Sequence, residues 1–159
     1  MATPALTPAA PHEFDALAAL MRATIEPLAY YNAPAIAAEL RKYTAESLRA
    51  RAADDALAVL VSRDDAGLTG FCVSRFDDGT IWLDWFGVAE RARGHGLGGA
   101  LIAALKDTLP ARGAHKIWCD SRTENVESRA TLDRAGFRCI TTLTNHWYHQ
   151  DYFLWEWYP

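Results

Sequence analysis

Val88-Ala89-Glu90-Arg91-Ala92-Arg93-Gly94-His95-Gly96-Leu97-Gly98-Gly99 is the stretch on which this chain turns. Before it, Thr80–Val88 reads as a strand. After it, Leu97, Leu101, Ala104, Leu105 and Thr108 recur at helical spacing. A basic, glycine-rich turn thus joins a strand to a helix. Glycine admits a ligand close to the backbone, and a helix start presents unpaired N–H groups with about half a positive charge. Such a place suits a phosphate or pyrophosphate. Glycines weaken a helix by about 1 kcal/mol each relative to alanine, so a ligand is the better reason for them than the helix itself.

Outward from the turn, short runs alternate with turn signals. Leu57–Arg63, Leu68–Phe76 and Thr80–Val88 read as a meander of strands, separated by Asp64-Asp65-Ala66-Gly67 and Asp77-Asp78-Gly79. Asp78-Gly79 is a hairpin signal. Upstream, His12 to Thr24 and Ala35 to Ala53 read as helices, parted by Pro27 and Asn32-Ala33-Pro34. Residues 1 to 11, rich in Ala, Pro and Thr, hold a short edge strand around Leu6 or fray. Downstream, the glycine helix stops near Pro110 to Gly113 and a strand follows at His115–Ser121. A helix spans Asn125–Ala135, closed by Gly136, and strands at Phe137–Thr144 and Tyr152–Trp157 complete the chain. This is an α/β pattern, antiparallel first with a strand–helix–strand crossover in the middle, and it fits one domain over residues 1–159.

The composition is that of an ordinary soluble protein: 159 residues, half of them hydrophobic, 23% charged, net charge −4. The acidic balance argues against nucleic acid as partner, since phosphate neutralisation needs a broad basic surface. Arg91, Arg93 and His95 form only a local basic patch. Cys72, Cys119 and Cys139, an odd count without CxxC spacing, read as reduced, buried small hydrophobes. No signal-peptide pattern and no membrane-length apolar run is present, which points to a cytoplasmic location without a membrane partner. His146-x-x-His149 lacks further ligands, so no metal is expected there.

Two patterns compete for the glycine turn. Gly94-x-Gly96-x-x-Gly99, with Asp120 21 residues beyond at a strand end, matches a dinucleotide fingerprint and so a nicotinamide oxidoreductase. Against it, five residues (Ala89 to Arg93) part strand from glycine, and too little chain remains for the other βα units. The better match is Arg93-x-x-Gly96-x-Gly98 followed by Asn125-x-x-Ser128-x-x-x-Leu132-x-Arg134-x-Gly136-Phe137. This ordered pair, 32 residues apart from Arg93 to Asn125, strongly resembles the GCN5-related N-acetyltransferase (GNAT) family, bacterial type. The resemblance spans about residues 80 to 157.

The resemblance implies a single-domain α/β fold: a mixed, mostly antiparallel sheet of about seven strands with a splayed parallel pair and about four flanking helices. It implies acetyl-CoA as cosubstrate, lying in the splay. Pantetheine pairs with backbone near Phe86 and Val88, and the N–H groups of Arg93, Gly94, His95, Gly96, Leu97, Gly98 and Gly99 hold the pyrophosphate. Asn125 and Ser128 belong to the cofactor side. Gly87 fits a strand that bulges there, with the Val88 N–H as donor to the oxyanion. The function implied is acetyl transfer to a primary amine by direct attack.

Two carboxylates qualify as the base. Asp84 shares a face with Trp82, Phe86 and Val88 if alternation holds. Asp120 ends a strand whose Trp118-Cys119-Asp120-Ser121-Arg122 resembles the Trp-Leu-Glu-Val-Arg run of protein N-terminal acetyltransferases, where the acidic residue relays a proton from the amine. The family usually has a tyrosine, assigned as acid to the departing thiolate, where this chain has Leu132. Tyr148 is the nearest replacement, or else an aromatic of the substrate loop. Leu132 also admits a second reading, a non-catalytic acyl-CoA-binding sensor of the same fold. Tyr30, Tyr31, Asn32, Tyr43, Trp147, Tyr148 and His149 are candidates for the acceptor pocket. A peptide or protein α-amine, an amino acid and a small amine all remain open, with a slight tilt to the first. A homodimer is expected by analogy with the family alone.

Overall fold

The computed structural model describes residues 6–159. Seven strands make one sheet in the order β1-β2-β3-β4-β5-β7-β6. They are β1 (Thr7–Pro8), β2 (Val59–Asp64), β3 (Gly67–Asp77), β4 (Thr80–Val88), β5 (Lys116–Arg122), β6 (Arg138–Leu143) and β7 (Tyr152–Trp157). Six α-helices flank it: α1 (Phe14–Ile25), α2 (Ala33–Lys42), α3 (Ala45–Asp54), α4 (Leu97–Asp107), α5 (Leu109–Arg112) and α6 (Val126–Arg134). Every sheet pairing is antiparallel except β4 with β5. That mostly antiparallel order departs from the parallel sheet a dinucleotide fold requires.

The β3–β4 hairpin closes on Asp78 and Gly79, both at positive φ (46° and 80°), as the Asp-Gly pair predicts. The expected helix Ala35–Ala53 is instead two helices. The first ends at Lys42 with Tyr43 as its cap, and Thr44 caps the next, its Oγ1 accepting from Ser47 N–H while Ser47 Oγ accepts from Thr44 N–H. That split and the short α5 raise the helix count from about four to six.

Apolar residues fill both faces of the sheet. On one, Leu97, Leu101, Ile102 and Leu105 of α4 and Leu132 of α6 pack on Ile81, Leu83, Ile117 and Cys119. On the other, Phe14, Leu17, Met21 and Ile25 of α1 and Leu48 of α3 pack on Val59, Val61, Phe71 and Val73. Cys72 and Cys119 are buried as expected, but Cys139 is exposed. It lies on β6, the outermost strand, which pairs only with β7 and is covered on neither face.

Candidate active site

The parallel pair sets the site. β4 and β5 run in register only from Thr80–Lys116 to Trp82–Trp118, and beyond that the two strands diverge. Asp84 and Asp120 each stand two residues past the last paired couple, so they flank the mouth of the opening. Paired strands lie about 4.8 Å apart, and both aspartates sit just past the point where β4 and β5 leave that spacing.

The bulge that turns β4 away from β5 is at Asp84. Val73 of β3 faces Trp85 while its neighbour Ser74 faces Leu83, leaving Asp84 as the extra residue. The expected bulge at Gly87 is therefore misplaced. Gly87 is needed for a different reason: a Cβ there would stand 2.5 Å from Cζ of the buried Phe71. The bulge also breaks the simple alternation. Ile81 and Leu83 face α4 before it, and Phe86 and Val88 do so after it. Asp84 thus turns to the α1–α3 side with Trp82 and Trp85, away from Phe86 and Val88.

Downstream of the bulge the β4 backbone is available to a ligand. Ala89 N–H donates to Thr69 O at 2.8 Å. By the alternation of an antiparallel ladder, Phe86 and Val88 then turn their N–H and C=O groups from β3 into the opening. The Val88 carbonyl accepts from Arg93 Nε at 3.3 Å, which ties the glycine turn to the strand end. A single 3-10 turn (Glu90–Ala92) separates β4 from the glycines. Gly94 and Gly96 both lie at positive φ (80° and 77°), with Gly96 as the N-cap of α4. No side chain caps α4, so its first N–H groups face the opening. The residues present thus fit acetyl-CoA: a strand edge for the pantetheine and a bare helix start for the pyrophosphate.

A continuous cleft of about 1140 Å³ runs from the glycine turn to α2 and α3. Phe86, Gly87, Val88, Arg93, Gly94, Gly96, Leu97, Gly98, Gly99, Asn125 and Ser128 all line it; His95 does not and is exposed. Asn125 is also the cap of α6. Its Oδ1 accepts from Ser128 N–H at 3.1 Å and its Nδ2 donates to Ser128 Oγ at 2.8 Å. Leu132, 1% exposed, packs into the core and forms part of the cleft wall.

At the other end the three expected catalytic side chains part company. Asp120 is partly buried on the cleft floor and accepts from Trp147 Nε1 at 2.9 Å. Burial holds its carboxyl above the usual carboxylate range, the Trp147 hydrogen bond works against that rise, and the charges of Asp84 and Glu39 add to it. Asp84 is committed elsewhere. Its side chain, 9% exposed, accepts from Arg51 Nη1 at 2.6 Å and from Arg75 Nη1. Tyr148 lies at the α2 end of the cleft, its hydroxyl 3.4 Å from Glu39 Oε1.

Glu39 escaped the sequence reading. Its carboxylate accepts from Trp85 Nε1 and Lys42 Nζ, both at 2.8 Å. The signal was helical spacing, since Ala35, Glu39 and Tyr43 recur at four-residue steps and all three are buried. Of the expected acceptor set, Tyr30, Tyr31, Tyr43, Trp147 and Tyr148 line the cleft. Asn32 instead holds the loop from the side, its Nδ2 donating to Tyr148 O at 2.8 Å, and His149 approaches Asn145. That loop is strained: Asn145, Tyr148 and His149 all have positive φ. Among the described residues, no cluster of three metal-ligating side chains occurs, and no helix is long and apolar enough to cross a membrane.

Comparison with known proteins agrees with this geometry. The chain superposes on the yncA protein of Salmonella typhimurium, solved with its cofactor acetyl-CoA, with a TM-score of 0.78 at 19% identity, covering 99% of this chain and 94% of that one. It superposes on the PaiA N-acetyltransferase of Thermoplasma acidophilum in complex with coenzyme A with a TM-score of 0.80 at 16% identity, covering 99% and 100%. The ribosomal-protein-alanine N-acetyltransferase of Brucella melitensis gives 0.76 at 19%, covering 98% and 99%. A search of the curated proteins by sequence finds no match. The model of the Acetyltransferase (GNAT) family matches residues 21–137, and the chain belongs to that family.

Proposed function

We propose that this protein transfers an acetyl group from acetyl-CoA to a primary amine by direct attack, with Asp120 as the base. The observation that carries the proposal is the place of Asp120, at the mouth of the β4–β5 opening between the glycine turn and the aromatic acceptor end. A carboxylate whose pKa is held up there accepts an ammonium proton more readily than an ordinary one. Asp84, spanned by two guanidiniums, is a structural anchor in this reading. The amine loses its proton to Asp120 as its nitrogen bonds to the thioester carbon. The Val88 N–H donates to the carbonyl oxygen as that oxygen gains charge. The sulfur then leaves as thiolate, whose conjugate acid has a pKa near 8.5, so Leu132 in place of an acid is tolerable.

An acyl-enzyme on cysteine is not supported. Cys119 borders the cleft, but burial pushes its thiol up, and that of Cys72 up to about 12. Neither supplies thiolate at neutral pH.

Calorimetry with acetyl-CoA, desulfo-CoA and NADH, followed by a thiol-release screen over peptides, amino acids and small amines, tests the proposal. Coenzyme A compounds bind and NADH gives no heat. At least one amine releases thiol, and Asp120→Asn lowers its kcat by about 10²–10⁴-fold while acetyl-CoA still binds. Binding with a silent screen identifies the non-catalytic sensor instead.

A further inference from the structure

The acceptor end of the cleft sets Lys42, Arg51 and Arg75 against Glu39, Asp84 and Asp120, and an acceptor ammonium taken up by Asp120 leaves one of those cations without a partner. Lys42 is paired with Glu39, while Arg51 and Arg75 share the single carboxylate of Asp84. One cation is therefore left over. Asp120 does not neutralise it, because its partner is the acceptor's own ammonium.

The surplus is available to a ligand. Among the described residues both arginines reach Asp84 through Nη1 alone, Arg51 Nη1 also donating to Ser74 O. Their remaining N–H groups are not sealed in, for the one buried, unpartnered side-chain nitrogen among the described residues is Arg112 Nη2. Arg75 is half-exposed and its guanidinium lies 5.3 Å over the Trp82 ring, which holds the plane of the fork. Trp82 is the last residue of β4 paired to β5, so this fork stands beside the same opening that Asp120 flanks.

We propose that the acceptor is a small amino-carboxylate, its amine at Asp120 and its carboxylate on Arg75, with Arg51 and Lys42 supplying the surrounding charge. The proposal rests on the transferase reading above. A planar guanidinium with free donors matches a carboxylate in geometry as well as charge. A peptide α-amine, which offers a neutral amide in place of that carboxylate, leaves the surplus cation unmatched. A diamine, which brings a second positive charge, is opposed by it.

The test compares L-amino acids with their carboxamides, their decarboxylated amines and short peptides in acetyl-CoA-dependent thiol release. The amino acid is expected to lead its carboxamide by at least tenfold in kcat/KM. Arg75→Gln reduces that ratio about tenfold through KM, and Arg75→Lys restores part of it. Equal use, or a preference for the carboxamide, peptide or diamine, overturns the proposal while leaving the transferase standing. If no amine releases thiol, the transferase reading fails on its own. The subsite is then decided by titrating N-acetyl amino acids and N-acetyl amines into the CoA-loaded protein and following tryptophan fluorescence. Tighter binding of the carboxylate, weakened by Arg75→Gln, supports the subsite; equal binding or none overturns it.

Discussion

Asp120 and Asp84 look alike in the sequence, each in an aromatic strand, and their neighbours separate them. Asp84 is spanned by Arg51 and Arg75, whereas Asp120 has one neutral donor, the indole of Trp147. With its folded pKa above the unfolded one, Asp120 binds more protons folded than unfolded between the two values. Its contribution to stability therefore falls as pH rises through that window. With Asp120 as the proposed base, kcat is expected to rise with pH through a value above the usual carboxylate range. Trp147→Phe removes a donor to the charged form and moves that limb to higher pH. An unmoved limb in the pH profile of kcat shows that the indole does not orient the base.

At the scale of elements, the proposal places the cofactor on the start of α4 and the bend of β4. Gly96 at φ 77° has open space where a Cβ would go, so a substitution there meets backbone strain and nothing else. Aspartate tolerates that conformation better than most residues and suits a helix N-terminus. Gly96→Asp is thus expected to fold with little change in Tm and to lose acetyl-CoA binding at least tenfold by calorimetry, since it sets a carboxylate against the pyrophosphate. Gly87→Ala behaves oppositely. Its Cβ runs into Phe71 (2.5 Å) and crowds Thr24 (3.0 Å), an overpacking of about 1–3 kcal/mol measurable by urea unfolding, and Phe71→Leu in the same background recovers part of it.

For the whole molecule, the loop between β6 and β7 closes the acceptor end by pinning to the link between α1 and α2. Asn32 N–H donates to Gln150 Oε1, Gln150 Nε2 donates to Tyr30 O, and Asn32 Nδ2 donates to Tyr148 O. Consecutive residues of this loop, Trp147 and Tyr148, then meet two of the cleft carboxylates, Asp120 and Glu39. Asn32→Ala loses this tie together with the cap on Ala35 N–H. It is expected to cost about 1 kcal/mol, roughly 2–4 °C in Tm, and to raise the acceptor KM while acetyl-CoA affinity stays put. Equal losses at both ends in a two-substrate kinetic comparison contradict the division of the cleft.

The order of elements, the Asp78-Gly79 hairpin and the glycine turn that opens α4 were legible in the chain because each rests on local chemistry: side-chain periodicity, turn residues and backbone freedom within a few positions. The bulge at Asp84, the split of the second helix at Thr44 and the exposure of Cys139 were not. The bulge and the exposed cysteine depend on what lies across the sheet or at its edge, whereas the split rests on the local Thr44–Ser47 capping pair, which the helical spacing on either side masked. The roles proposed for the two aspartates belong with the bulge and the cysteine. A carboxylate acts as base or as anchor according to the charges that converge on it, and Arg51 and Trp147 reach Asp84 and Asp120 from 33 and 27 residues away. Local sequence therefore determined what this protein can bind, and long-range packing decided which side chains are left free to act on it.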